Sequence, residues 1–117
     1  MSKRPPNQAH ILLEQHVQEL GFGLTREYEF AKPQRRWRFD YVIGPVAAVL
    51  PDDRKLCCAI EIEGAIHVNG RHTRGKGYQG DLDKYNFAVA KGWRVLRFST
   101  DDVMRGRAKA FLQEHLL

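Results

Sequence analysis

The sequence predicts an α/β fold, a small mixed sheet flanked by helices, in the order helix, three strands, helix, strand, helix. Three observations predict it. Ile11, Leu12, Leu13, Val17 and Leu20 recur at helical spacing near the start. Residues 36–43 alternate with a period of two. Residues 56–63, LCCAIEIE, are almost continuously apolar, as in a strand covered on both faces, and a helical segment and another strand follow them. With 117 residues, 43% hydrophobic and 28% charged, the chain has the material for one domain around a single core.

Taken in order, residues 1–6 (MSKRPP) read as a disordered basic arm, followed by a single domain over residues 7–117. Asn7 suits the N-cap of QAHILLEQHVQEL, and Gly21 and Gly23 end that helix. Glu14 and Gln18 lie one turn apart, away from Leu13, Val17 and Leu20. LTREYEFA, closed by Lys32-Pro33, is the first strand. In RRWRFDYVIG, Trp37, Phe39, Tyr41 and Ile43 alternate with Arg36, Arg38, Asp40 and Val42, which places Asp40 opposite the aromatic residues. Residues 45–55 form a connector with a turn at Pro51-Asp52-Asp53.

Cys57 and Cys58 are strand neighbours on opposite faces, where a mutual disulfide would be strained; they read as buried thiols. Residues 64–80 hold five of the ten glycines and form a long loop, a kind of segment that often carries function. DLDKYNFAVAKG is a helix with Asp81 near its start, Leu82, Tyr85, Val89 and either Phe87 or Ala88 inward, and Gly92 as its cap. WRVLRFS is the last strand, and Thr100 or Asp101 caps a final helix, DVMRGRAKAFLQEHLL. Trp37 and Trp93 read as core. The strand–helix–strand step over residues 56–98 demands a right-handed crossover.

The formal net charge is +5, with basic clusters at Arg35, Arg36 and Arg38, at Arg71, Arg74 and Lys76, and at Arg105, Arg107 and Lys109. That balance suggests a polyanionic partner. No apolar run reaches the ~18 residues of a membrane helix. The basic N-terminus lacks the apolar stretch of a signal peptide. The expected setting is the cytoplasm, with no membrane partner.

The chemistry concentrates at CCAIEIEGAIH. Glu61 and Glu63 share one strand face, roughly 6.6 Å apart, with Cys57 and Ala59 beneath them leaving room above. Asp40 belongs to a strand that pairs with this one or lies close to it, so three carboxylates converge. Buried carboxylates cost several kcal/mol unless paired or metal-bound, and they raise one another's pKa. A hard divalent cation such as Mg²⁺ resolves both, and can activate water beside a phosphate. Residue types alone leave another reading open: Glu61 and Glu63 paired with Arg38, Arg97 or Lys84 as a structural ion-pair cluster, or emerging into solvent at the strand end.

Asp40, then Glu61-Ile62-Glu63 at the end of an apolar strand, then a helix and a strand, resembles the PD-(D/E)XK nuclease superfamily. EIEGAIH with DLDKYNFAVAKGWRVLRFS is similar to the very-short-patch repair endonucleases. The resemblance covers most of residues 10–100. It implies a restriction-endonuclease-like α-β-β-β-α-β core and a Mg²⁺-dependent endodeoxyribonuclease, with Mn²⁺ able to substitute. Asp40 takes the Asp position, Glu61 the D/E position, and Glu63 stands where the pattern has Lys. The implied metal ligands are Asp40, Glu61, the Ile62 carbonyl and Glu63. Glu14 resembles the first-helix glutamate that holds metal-bound water.

Because the motif lysine is absent, its positive charge must come from elsewhere, and Lys84 is the candidate. His67, whose offset from Glu63 matches the repair endonucleases, and His72 are candidates for general acid–base work or phosphate binding. Arg71, His72, Arg74 and Lys76, set among glycines, suit a phosphate clamp, the alternative being a basic loop that no ligand orders. Arg36 and Arg38 are further DNA-binding candidates. No recognition helix is evident, which favours reading DNA shape. The expected activity is that of a homodimeric Holliday-junction resolvase or a related recombination or repair nuclease. The alternatives are a nicking or mismatch-repair enzyme of the very-short-patch type, and a DNA-binding module with a decayed site.

Overall fold

Asn7 opens the first helix by accepting the His10 N–H, as its position in the sequence predicts. The computed structural model describes residues 7–45, 58–64 and 76–116. Its elements are α1 (Gln8–Glu19), β1 (Phe22–Glu29), β2 (Arg38–Pro45), β3 (Cys58–Glu63), α2 (Lys76–Ala90), β4 (Val95–Ser99), α3 (Thr100–Met104) and α4 (Arg107–Leu116). The four strands form one sheet in the order β1-β2-β3-β4. β1–β2 and β2–β3 are antiparallel; β3–β4 is parallel. This is the small mixed sheet with flanking helices that the sequence predicts. Among the described residues no helix is long and apolar enough to cross a membrane.

Both faces of β3 are covered. Cys58 and Ile60 join Leu13 and Val17 of α1, Val103 of α3 and Leu112 of α4 on one side. Ala59 packs with Phe39, Val42, Ala88 and Trp93 on the other. Each fully buried Leu or Ile contributes about 1.5–3 kcal/mol. Cys58 is buried in the core; Cys57 and most of the connector, including its expected turn, lie outside the described residues.

Several boundaries differ from the sequence reading. Gly23 belongs to β1, opposite Gly44. α2 begins at Lys76, inside the expected loop, so Asp81 is not in its first turn. Gly77 and Gly80 carry a helix penalty of about 1 kcal/mol each, and this made the stretch read as a loop. The inward face of α2 keeps the expected Tyr85 and Ala88 but exchanges Leu82 and Val89 for Lys84. Leu82 and Val89 are 39% and 65% exposed, while Ala88 is buried and Lys84 and Tyr85 turn toward β3. The last helix is two helices, broken at Gly106, whose φ of 79° favours glycine. Ser99 caps α3 in a reciprocal capping box with Asp102, one residue before the expected cap.

One irregularity sits in β2. Tyr41 and Ile43 face α1, but Phe39 stacks on Phe30 at 3.8 Å and packs with Trp93 on the α2 side, as Val42 does. The aromatic residues therefore do not share one face. Alternation breaks at Asp40, and Glu27, between the paired positions Arg26↔Tyr41 and Tyr28↔Phe39, has a φ of 51°. Non-glycine residues seldom adopt that conformation, and such outliers cluster at functional sites.

Candidate functional site

The β2–β3 ladder runs Ile43↔Cys58, Val42↔Ala59, Tyr41↔Ile60. At the next pair the backbone bonds give way to side chains. The Asp40 N–H donates to Glu61 Oε2 at 2.6 Å, and the Ile62 N–H donates to Asp40 Oδ2 at 2.9 Å. Each acid thus satisfies a main-chain donor on the other strand. These bonds keep buried amides paired where the ladder stops and hold both carboxylates between the two strands.

Glu61 is the buried charge of the described core, 6% exposed. Its Oε1 accepts from Lys84 Nζ at 2.7 Å and from the Tyr85 hydroxyl at 2.8 Å. The room that small residues leave beside Glu61 is therefore filled by α2. Ala88 belongs to the same apolar cluster as Ala59, and Lys84, one turn earlier, reaches the acid. Burial and hydrogen bonding to Glu61 push the Tyr85 hydroxyl well above the usual phenol range.

Burial also raises the Asp40 carboxyl above its ordinary value; the Ile62 N–H opposes this, and the Glu61 charge reinforces it. Among the described residues Asp40 Oδ1 has no hydrogen-bond partner. Asp40 is thus under-neutralised, while Glu61 is held by three donors.

Glu63 has a different partner. The parallel register sets Arg97 beside Glu61 and Ser99 beside Glu63. The long Arg97 side chain reaches along the sheet to bond Glu63 through Nε, and its guanidinium lies 4.4 Å from the Tyr85 ring centroid. Hydrogen bonding to Glu63 raises the already high Arg97 pKa. Among the described residues, no group of three or more His, Cys, Asp and Glu side chains is placed to hold a metal ion. The expected convergence of three carboxylates is a facing pair, Asp40 and Glu61, with Glu63 turned to Arg97.

Glu14 lies on the α1 side. Arg26 binds it through Nε at 2.9 Å and a terminal nitrogen at 2.5 Å, and the Tyr41 hydroxyl donates to it at 2.8 Å. The Arg26 guanidinium holds the Glu14 carboxyl below its ordinary value. Tyr41 spends its one proton on Glu14, so its 2.9 Å contact with His10 Nδ1 requires that nitrogen to donate. Arg38 faces Glu27 at 3.4 Å and Glu29 at 3.7 Å, and Arg36 is exposed. His67, Arg71, His72 and Arg74 lie outside the described residues, as does the Lys76 side chain.

Sequence reasoning missed Tyr85, Tyr41 and His10 as members of these networks. Tyr85 and Tyr41 sit at positions that periodicity assigns to core, and nothing in a period marks where a hydroxyl ends. The neighbouring Lys84 and Asp40 were the only local signals. No family model, curated protein or solved structure matches the chain.

Proposed function

We propose that this protein is a divalent-cation-dependent endodeoxyribonuclease with a restriction-endonuclease-like core. The observation that carries this reading is the interruption of the β2–β3 ladder. Two carboxylates from different strands face each other there, one of them raised by burial, with a lysine on the next helix bonded to the other. The donors are all oxygens, which suits Mg²⁺ or Mn²⁺ and not a softer metal. Mg²⁺ is usually held by one or two carboxylates and several waters. The pair therefore fits that ion without a third acidic side chain.

In this reading Asp40, Glu61 and the Ile62 carbonyl hold the cation. A cation held there would supply Lewis-acid chemistry for the phosphate and for an attacking water. The Ile62 and Asp40 N–H groups fix the two carboxylates, and Tyr85 fixes the Glu61 rotamer. Lys84 spends one of its donors on Glu61 and keeps two to orient the attacking water or a phosphate oxygen. It supplies the charge that Glu63 cannot.

Supercoiled plasmid incubated with Mg²⁺ or Mn²⁺ tests the reading. The wild type is expected to nick or linearise it, and Glu61→Gln to slow cutting by at least about 100-fold, since loss even of a ligand's supporting partner costs 10–100-fold. Wild type that leaves the plasmid intact under both ions refutes the activity. Among active outcomes, a preference for four-way junctions over flaps, mismatches and duplex supports a homodimeric junction resolvase; nicking of a mismatched duplex supports the repair-type enzyme. A non-catalytic DNA-binding module is the second reading, favoured by the Lys84–Glu61 and Arg97–Glu63 pairs, which neutralise two acids without a metal. It predicts salt-sensitive DNA retention with no cleavage.

A further inference from the structure

Glu63 occupies the position where the resembled motif has a lysine, and the structure shows what that acid holds. Arg97 is the neighbour of Glu61 on β4. Its Nε bonds Glu63, and its guanidinium carbon lies 4.4 Å from the Tyr85 ring centroid. Tyr85 in turn donates to Glu61. The guanidinium is thus fixed on two sides by residues tied to the candidate site. Its side chain is nevertheless 47% exposed. Among the described residues its two terminal amino groups have no hydrogen-bond partner. They form an outward fork of N–H donors of the kind that binds phosphate oxygens in pairs.

We infer that Arg97, held by Glu63 and Tyr85, is the residue that grips the phosphodiester backbone beside the Asp40–Glu61 pair, and that Glu63 acts as its positioning residue instead of as a metal ligand. The inference rests on the nuclease reading and assigns the nucleic-acid phosphate as the group bound. It divides the site's positive charge between two residues. Lys84, with its side chain 16% exposed, stays on the buried acid, while Arg97 faces outward. A guanidinium restrained by an acid and a ring loses less freedom on binding than an unrestrained one.

The test is binding of a fluorescent duplex oligonucleotide, measured by anisotropy in Ca²⁺ over a range of salt concentrations, with plasmid cleavage measured in parallel. Arg97→Gln is expected to weaken binding about tenfold and to reduce the log–log salt slope by about 0.9, the contribution of one phosphate contact. Arg97→Lys should keep the slope and lose affinity, because the charge stays and the fork goes. Glu63→Gln should raise KM more than it lowers kcat, whereas loss of a metal ligand would lower kcat and weaken Mn²⁺ binding. Thermal melting of each variant separates these effects from unfolding. Wild type that binds duplex, with a folded Arg97→Gln matching it in affinity and slope, overturns the inference and leaves the nuclease reading standing. So does Glu63→Gln that loses Mn²⁺ binding and kcat with KM unchanged. Wild type that neither binds nor cuts DNA overturns both.

Discussion

The central strand pair has two ends built on different principles. From Ile43↔Cys58 to Tyr41↔Ile60 the strands are joined by backbone bonds, and their side chains sort into the two apolar layers. One residue further, at Asp40 and Glu61, the joining is done by carboxylates, each capturing an amide of the other strand. The ladder end gains stability from burial. The acid end places a buried charge where only specific partners make it tolerable. In this sheet the buried acids sit where the backbone hydrogen-bond pattern stops, and the acids that interrupt the pattern also repair it.

The largest test of this contrast removes Glu61. Glu61→Ala leaves Lys84 facing a nearly buried space, and breaking such a pair costs about 3–5 kcal/mol. In the ladder half, the neighbouring Ile60→Val should cost only about 0.5–1.5 kcal/mol. Urea unfolding of the two variants checks the ordering; equal losses would show that Glu61 and Lys84 are a dispensable pair.

Asp40→Asn should act in the opposite direction. The Asp40 carboxyl is raised above its ordinary 3.8, so its contribution to stability is fully present below that value and is lost as pH rises through the folded-state value. Above that value the buried carboxyl therefore costs stability. The amide can still accept from the Ile62 N–H, so the variant should melt at or above the wild-type temperature while cutting no DNA. Mg²⁺ should raise the wild-type melting temperature at pH 8 and leave the variant unchanged. A variant clearly less stable than wild type at pH 7 would contradict the raised carboxyl.

The smallest expected effect belongs to Glu14, whose carboxyl is shifted the other way. Its folded-state pKa is lowered by Arg26, so its contribution is present above its ordinary 4.5 and is lost as pH falls through the lowered value. The Arg26 side chain is 62% exposed, and solvent screening limits such a pair to about 0.2–1 kcal/mol. Glu14→Gln should lose that amount at pH 7 and match the wild type in acid. If the variant also stops cleavage without unfolding, the α1 cluster belongs to the reaction and the two sides of the sheet form one site.

Much of this architecture was legible because local pattern and burial agree. LCCAIEIE reads as a doubly covered strand, and it is one from Cys58 on; Asn7 reads as a cap and caps α1. The failures have a common form. Gly77 and Gly80 marked a loop by propensity, yet α2 continues through them, because packing can override a local cost of about 1 kcal/mol per glycine. Leu82 and Val89 fit an apolar helical stripe with Tyr85, yet the helix exposes both and turns Lys84 inward beside Tyr85 and Ala88. Helical spacing describes a cylinder without saying which line on it meets the sheet.

The sequence by itself determined the element types and their order, the basic charge, and the clustering of acids at the end of an apolar strand. These depend on periodicity and composition within short windows. Sequence offered Arg38, Arg97 and Lys84 as partners for Glu61 and Glu63; tertiary structure chose among them, giving Glu61 Lys84 with Tyr85, Glu63 Arg97, and Asp40 the amide of Ile62. A charged side chain's partner is fixed by the register between strands and by how closely a helix can approach. Here α2 comes close enough for Lys84 and Tyr85 to reach Glu61, beside the apolar cluster that holds Ala59 and Ala88.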